Sequence, residues 1–180
     1  STEAISSVGL IEFLTGSVWE PLSGSFGAMP VITGTVLVTI GSIAIALPLG
    51  LGAAIFISEV APANARNVLK PLCEVFAGIP SVVYGFFGLV VLLPLLRAVF
   101  PEQLLFGSSW LAGSILLGIM ALPTIISVSE DALRAVPLSY REASVAMGAT
   151  RWETTRKVVV PAAISGISAA AILGIGRAIG

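Results

Sequence analysis

Charge is missing from four long stretches of this sequence. No Asp, Glu, Lys or Arg stands between Glu20 and Glu59, between Glu74 and Arg97, between Glu102 and Glu130, or between Lys157 and Arg177. A helix needs about 20 mostly apolar residues to cross the hydrocarbon core of a bilayer, and each gap holds that many. Only 11% of the residues are charged, against about 25% in soluble domains, and the mean hydropathy is +1.03. The expectation is an all-α fold, a polytopic membrane helix bundle, with spans near Val31–Ile57, Val75–Leu96, Trp110–Ser127 and Val158–Gly176. The first gap is long for one helix, but Pro21, Ser23, Gly24, Ser25, Gly27 and Pro30 make its first third loop-like, so one span is counted there.

Lys and Arg set the orientation. They are absent from the N-terminal stretch and present after the first predicted span as Arg66 and Lys70. Only Arg97 follows the second span, while Arg134, Arg141, Arg151, Arg156 and Lys157 follow the third. Both ends of the sequence are therefore expected outside, and segments 58–74 and 130–157 in the cytoplasm. Trp19 and Trp110 fall near the outer ends, where interfacial aromatics collect. Ile5, Val8, Ile11 and Leu14 recur at helical spacing, so residues 1–20 predict a short amphipathic helix on the outer surface, and 1–30 as a whole an outer-face segment and loop. A start at Ser1, an end soon after an apolar run and the absence of a signal peptide suggest an internal piece of a longer membrane protein.

Several chemistries are disfavoured at once. One cysteine, Cys73, and no histidine rule out a disulfide scaffold or a Cys/His metal site, and no metal or other cofactor is expected. The lack of histidine removes the commonest general base. A net charge of −1 gives no reason to expect nucleic acid as a partner.

The predicted spans are more than anchors. Ala46/Gly50, Gly166/Ala170 and Gly176/Gly180 are small pairs four residues apart, which let backbones approach closely. Pro48, Pro80, Pro94 and Pro123 interrupt spans, as is tolerated where protein or a cavity covers the freed backbone.

Segment 130–157 carries the densest local information. Ser139 with Glu142, and Thr150 with Glu153, have capping-box spacing, and Gly148 lies between them where a left-handed cap would end a helix. The spacing predicts helix, glycine turn, helix on the cytoplasmic face. Ala143, Ala146 and Met147 would give the first helix a surface suited to a groove on another protein. On pattern alone, a solvated connector between two spans fits as well.

A resemblance distinguishes the two. Glu142-Ala143-Ser144, three residues, Gly148, nine residues, then Val158-Val159-Val160-Pro161 resembles the EAA loop of bacterial ABC importer permeases. The spacing matches throughout; Ser144 replaces the second alanine, and valines replace larger aliphatics. The resemblance implies that Glu142, Ala143, Ser144, Gly148 and Pro161 belong to a coupling element that fits a cleft on an ATP-hydrolysing subunit. No G-x-x-x-x-G-K-[ST] loop occurs in the chain, so ATP hydrolysis is expected in a separate polypeptide and the chain itself is not expected to be an enzyme.

Further blocks run nearly the whole chain in order: Trp19-Glu20-Pro21, Phe26 to Pro30 with Gly34-Thr35, Glu59-Val60-Ala61-Pro62, Ile79 to Gly85, and Gly174 to Gly180. They resemble the C-type permease subunits of Pst phosphate importers; the outer loop around 97–109 matches least. The resemblance implies four spans of an expected six, truncation at both ends, a bacterial inner-membrane location, and phosphate as cargo. The partners it implies are an ATP-binding cassette ATPase, a sister permease, a periplasmic phosphate-binding protein and the lipid bilayer. Molybdate or sulfate importers and the A-type sister permease are the nearest alternatives.

Three residues are candidates for the substrate pathway. A straight helix entering the membrane at Val158 carries Arg177 about 28 Å, to the outer interface, where it would snorkel. If Pro161 and Ser165 still lie in the cytoplasmic interface, Arg177 sits deeper and marks a route, its planar fork suiting an oxyanion. Ser81 and Tyr84 follow Pro80; their hydroxyls line a polar path or bond a preceding backbone carbonyl. A channel or secondary transporter would carry ionisable groups within its spans, whereas charge here stops at the span edges apart from Arg177. An intramembrane enzyme would need a base or acid pair that the spans lack.

Overall fold

The computed structural model describes residues 10–20, 25–99 and 104–179. Helix α1 (Leu10–Thr15) leads into a two-residue antiparallel pairing of β1 (Trp19–Glu20) with β2 (Ser25–Phe26). The amphipathic helix expected over 1–20 is therefore shorter, ending at Thr15; residues 1–9 lie outside the described residues. Backbone bonds from Gly27 to Val18 and from Ala28 to Phe13 fold this segment onto the start of the first span.

Among the described residues three helices are long and apolar enough to cross a membrane, and a fourth crossing is added if a bent pair of helices counts as one span. The first is α2 (Met29–Ile55), which carries on through a π-helical turn, Phe56–Val60. Pro48 sits inside it without ending it. Next comes α3 (Ala63–Ala77), with no buried residue, then a break at Gly78-Ile79-Pro80. The second span starts only at α4 (Ser81–Phe87) and runs through a second π-helical turn, Gly88–Leu92, into α5 (Leu93–Val99). The single helix expected from Val75 is thus broken. Pro80 lacks an N–H and holds Ile79 out of helical geometry, and Pro80 itself is extended (ψ 138°).

Helix α6 (Leu104–Arg134) is the third span and runs past the Ser127 boundary, carrying Glu130, Asp131 and Arg134 in its last turns. After α7 (Leu138–Ala146) and α8 (Arg151–Thr154), a third π-helical turn, Thr155–Val159, leads to α9 (Val160–Ala162). The chain then bends by 69° into α10 (Ile164–Ile179). The straight span expected over Val158–Gly176 is in fact this bent pair.

The core lies where α2, α6 and α10 meet. Ala46, Ala121 and Ile125 form one buried cluster, and Ala54, Leu133, Val136, Val159, Ala163 and Ile167 another toward the C-terminal end of α6. Small residues permit this approach. A Cβ on Gly50 or on Gly174 would each lie 2.7 Å from the Ile125 side chain, and one on Gly166 2.4 Å from the Ala132 Cβ. Gly176 has open space around it, so the expected Gly176/Gly180 packing does not form at Gly176, and Gly180 lies outside the described residues.

Lys70 on α3 is paired with Asp131 and Glu130 on α6, the latter at 2.8 Å. Those two acceptors hold the Lys70 ammonium above its usual pKa of 10.5, Asp131 contributing most. A folded-state value above the unfolded one gives stability that is complete below pH 10.5 and fades as pH rises through the folded value. Thermal midpoints of the solubilised protein are therefore expected to lose this contribution only in the alkaline limb, and Lys70→Met to flatten that part of the profile.

Candidate functional site

Two regions bring the sequence-predicted residues together. The first is inside the bundle. At the break after α3, the last carbonyls of that helix have no intrahelical partner and need donors from elsewhere. Ile79 N–H takes the Phe76 carbonyl, and the Tyr84 hydroxyl donates to it as well at 3.0 Å. The Arg177 guanidinium donates to the Ala77 carbonyl at 2.6 Å and to Thr124 Oγ1 at 3.1 Å. A cation at a helix C-terminus also complements the helix dipole.

Arg177 thus turns inward. Thr124 lies on a span running Trp110–Arg134, about 21 Å along the helix from the first of these residues and about 15 Å from the last. The guanidinium therefore packs between α10, α6 and the end of α3, about 9 Å along α6 from the charged Glu130.

Arg177, Ser81 and Tyr84 line one cavity of about 430 Å³, with Thr35, Gly34 and Gly85 among its other walls. Arg177 is the only charged side chain lining it among the described residues. Its remaining donors and the Ser81 hydroxyl give an anion a charged fork and a neutral donor, whereas the Tyr84 and Thr35 hydroxyls already donate to the Phe76 and Val31 carbonyls. Sequence reasoning missed Thr124 and Thr35; the signal for Thr124 was its place directly after Pro123 in a span.

The second region is the helix–turn–helix after α6. Gly148 has φ 86°, and its N–H bonds the Val145 carbonyl while that of Ala149 bonds the Ser144 carbonyl, the paired pattern that closes a helix at a left-handed glycine. Nothing lies within 4 Å of where its Cβ would be. Gly148→Ala is therefore expected to cost only the left-handed backbone, about 1–2 kcal/mol, read as a lowered thermal midpoint. The Thr150–Glu153 capping box forms in full. Thr150→Ala should cost about 1 kcal/mol, with faster amide exchange confined to 151–154.

The Ser139–Glu142 box does not form. Pro137, at ψ 141°, is the cap residue of α7 and makes no side-chain cap bond. It starts the helix two residues earlier than expected, which leaves Ser139 within the first turn.

Glu142 and Ala143 are exposed on α7, and Ser144 Oγ lies 2.9 Å from Thr154 Oγ1, tying α7 to α8. Leu138, Tyr140, Val145, Met147 and Trp152 are exposed around them, Met147 by 89%. A cleft of about 620 Å³ lined by Glu142, Arg141, Arg151 and Glu59 runs beside α7. Pro161 is exposed but does not line that cleft; it lies at the bend before α10.

The comparisons with known proteins agree with this architecture. Residues 46–180 match the family described as binding-protein-dependent transport system inner membrane component. A Bacillus subtilis protein described as a probable ABC transporter permease protein, YqgH, is 49% identical over 98% of this chain and 57% of its own length. The phosphate transport system permease protein PstC of Mesorhizobium japonicum is 36% identical over 100% of this chain and 60% of its own. A probable PstC of Methanocaldococcus jannaschii is 35% identical over 98% of this chain and 61% of its own. The chain spans about three-fifths of the length of these relatives. A solved structure of inward-facing conformations of the MetNI methionine ABC transporter superposes with a TM-score of 0.68 at 24% identity, covering 90% of this chain and 73% of that one, and shows the same fold. This multi-pass membrane protein therefore belongs to the family of inner membrane components of binding-protein-dependent transport systems.

Proposed function

We propose that the chain is the core of the permease subunit of an ATP-driven phosphate importer in the bacterial inner membrane. The observation that carries the reading is the cationic fork of Arg177, the one charge among the described residues lining a hydroxyl-bearing cavity between the helices. An arginine within a span that faces the bundle marks a route, and its fixed charge suits an oxyanion. Relatives that cover this whole chain are described as phosphate transport system permeases. Ser81 would donate a neutral hydrogen bond along the path, and Tyr84, whose proton goes to the Phe76 carbonyl, would offer only its oxygen as an acceptor. The exposed apolar side chains and Glu142, Ala143 and Ser144 on α7 would dock a separate ATPase subunit, with Gly148 setting the turn and Pro161 the approach to α10. A sister permease and a periplasmic phosphate-binding protein complete the reading. The switch between outward-open and inward-open states would be driven by ligands that bind those states unequally.

The test is uptake of labelled phosphate, with molybdate and sulfate in parallel, in cells lacking their own phosphate importers. The full-length gene is expressed with its sister permease, ATPase and binding subunits. ATP-dependent phosphate uptake is the expected result. Uptake of another oxyanion alone would keep the permease and overturn the cargo, and uptake indifferent to ATP depletion would overturn the coupling.

A further inference from the structure

Helix α7 contains no buried residue, so its own packing holds it weakly. Its firmest link to the spans is one side chain. The Arg141 guanidinium donates to Glu59 Oε2, 82 residues away in sequence, and to the Leu133 carbonyl at 2.9 Å. The other oxygen of Glu59 accepts from Ser58 Oγ at 2.9 Å. Both charged side chains are mostly covered, Glu59 12% and Arg141 22% exposed.

The two acceptors belong to different spans. Glu59 lies in the π-helical turn that ends the α2 span, where Arg66 bonds the Ile57 and Ser58 carbonyls and fixes the local backbone. Leu133 is fully buried in the second core cluster, at the last turn of α6. The planar arginine fork therefore bridges α7 to α2 and α6 at once, in fixed directions. The cleft beside it leaves α7 room to tilt about this point.

We infer that the Glu59–Arg141 pair is the joint through which displacement of α7 is passed to the α2 and α6 spans. Glu59 and Arg141 are positioning residues for coupling. The inference rests on the reading of α7 as the docking helix for an ATPase.

The experiment uses the full-length permease with its partner subunits in proteoliposomes, measuring phosphate moved per ATP hydrolysed. Glu59→Gln and Arg141→Gln should each lower that ratio about tenfold, within the usual range of coupling energies, while ATP hydrolysis persists. The double variant should be no worse than the poorer single, as expected of partners in one interaction. Arg141→Lys keeps the charge but loses the fork, and should fall between. Additive losses, or transport and hydrolysis falling in proportion, would overturn the proposal. Amide exchange over 138–146 needs no cargo: it should speed up in either Gln variant and no further in the double, and unchanged exchange would also overturn it. A wild type that moves no phosphate refutes the functional reading alone and leaves exchange to decide the joint. If a Gln variant does not assemble, Arg141→Lys supplies both readouts.

Discussion

Arg177→Gln is expected to lower phosphate uptake per assembled transporter by about tenfold to a hundredfold. Glutamine is two bonds shorter and has one amide nitrogen, so it also gives up reach to the Ala77 carbonyl and Thr124 Oγ1, the two partners of the guanidinium. What it removes is the only charge lining the cavity among the described residues. A hydrogen bond to a charged group is worth about 1.5–3 kcal/mol, and each 1.4 kcal/mol is about tenfold. Arg177→Lys, with its charge but no planar fork, should retain more uptake than the glutamine variant. Initial rates of labelled phosphate uptake, normalised to assembled transporter, check both. Uptake at wild-type level in Arg177→Gln would leave the arginine as a clamp on the end of α3 and nothing more.

A second pair of substitutions separates packing from helix propensity. Glycine to alanine in a helix interior gains up to about 1 kcal/mol where there is space. At Gly176 nothing lies within 4 Å, so Gly176→Ala should be neutral or stabilising. At Gly166 the same methyl would lie 2.4 Å from the Ala132 Cβ and 3.4 Å from its Cα. Neither atom can turn aside as a flexible side chain can, so α6 and α10 must separate beside the cluster of Leu133, Val159, Ala163 and Ile167. Overpacking of this kind costs about 1–3 kcal/mol, and Gly166→Leu more. The expected outcome is a lower thermal midpoint and poor yield for Gly166→Ala, failure to accumulate for Gly166→Leu, and wild-type behaviour for Gly176→Ala. Equal behaviour of the two alanine variants would show that α6 and α10 do not meet at Gly166.

What the sequence made legible follows the range of the interactions. Charge-free runs located the spans because crossing a bilayer is a demand on composition and length. The Gly148 turn and the Thr150–Glu153 cap were legible because each is complete within a few residues. The Ser139 cap was misread because Pro137, a stronger local signal, already starts the helix. Pro80 was read as interrupting its span, and the chain does break there, whereas the bend at Ala163 was missed because apolar composition continues through it and only backbone geometry changes. Joining Arg177 to Thr124, or Arg141 to Glu59, requires knowing which helices are neighbours.

The three π-helical turns have a consequence for how such a chain can change length. Each is closed by an N–H reaching back five residues, from Ala61 to Phe56, Leu93 to Gly88 and Val160 to Thr155. An ordinary helical turn reaches back four, so each site stores one surplus residue. Deleting a residue elsewhere in a span rotates everything beyond it by about 100° and turns lipid-facing side chains into the bundle. Deleting one inside a π-helical turn absorbs the surplus and leaves both flanking faces in register. Phe56–Val60 ends its helix at the extended Ala61, so this holds for the two turns inside helices: single-residue gaps in distant homologues should concentrate at Gly88–Leu92 and Thr155–Val159, and a chain shortened by one residue within Gly88–Leu92 should still insert and assemble.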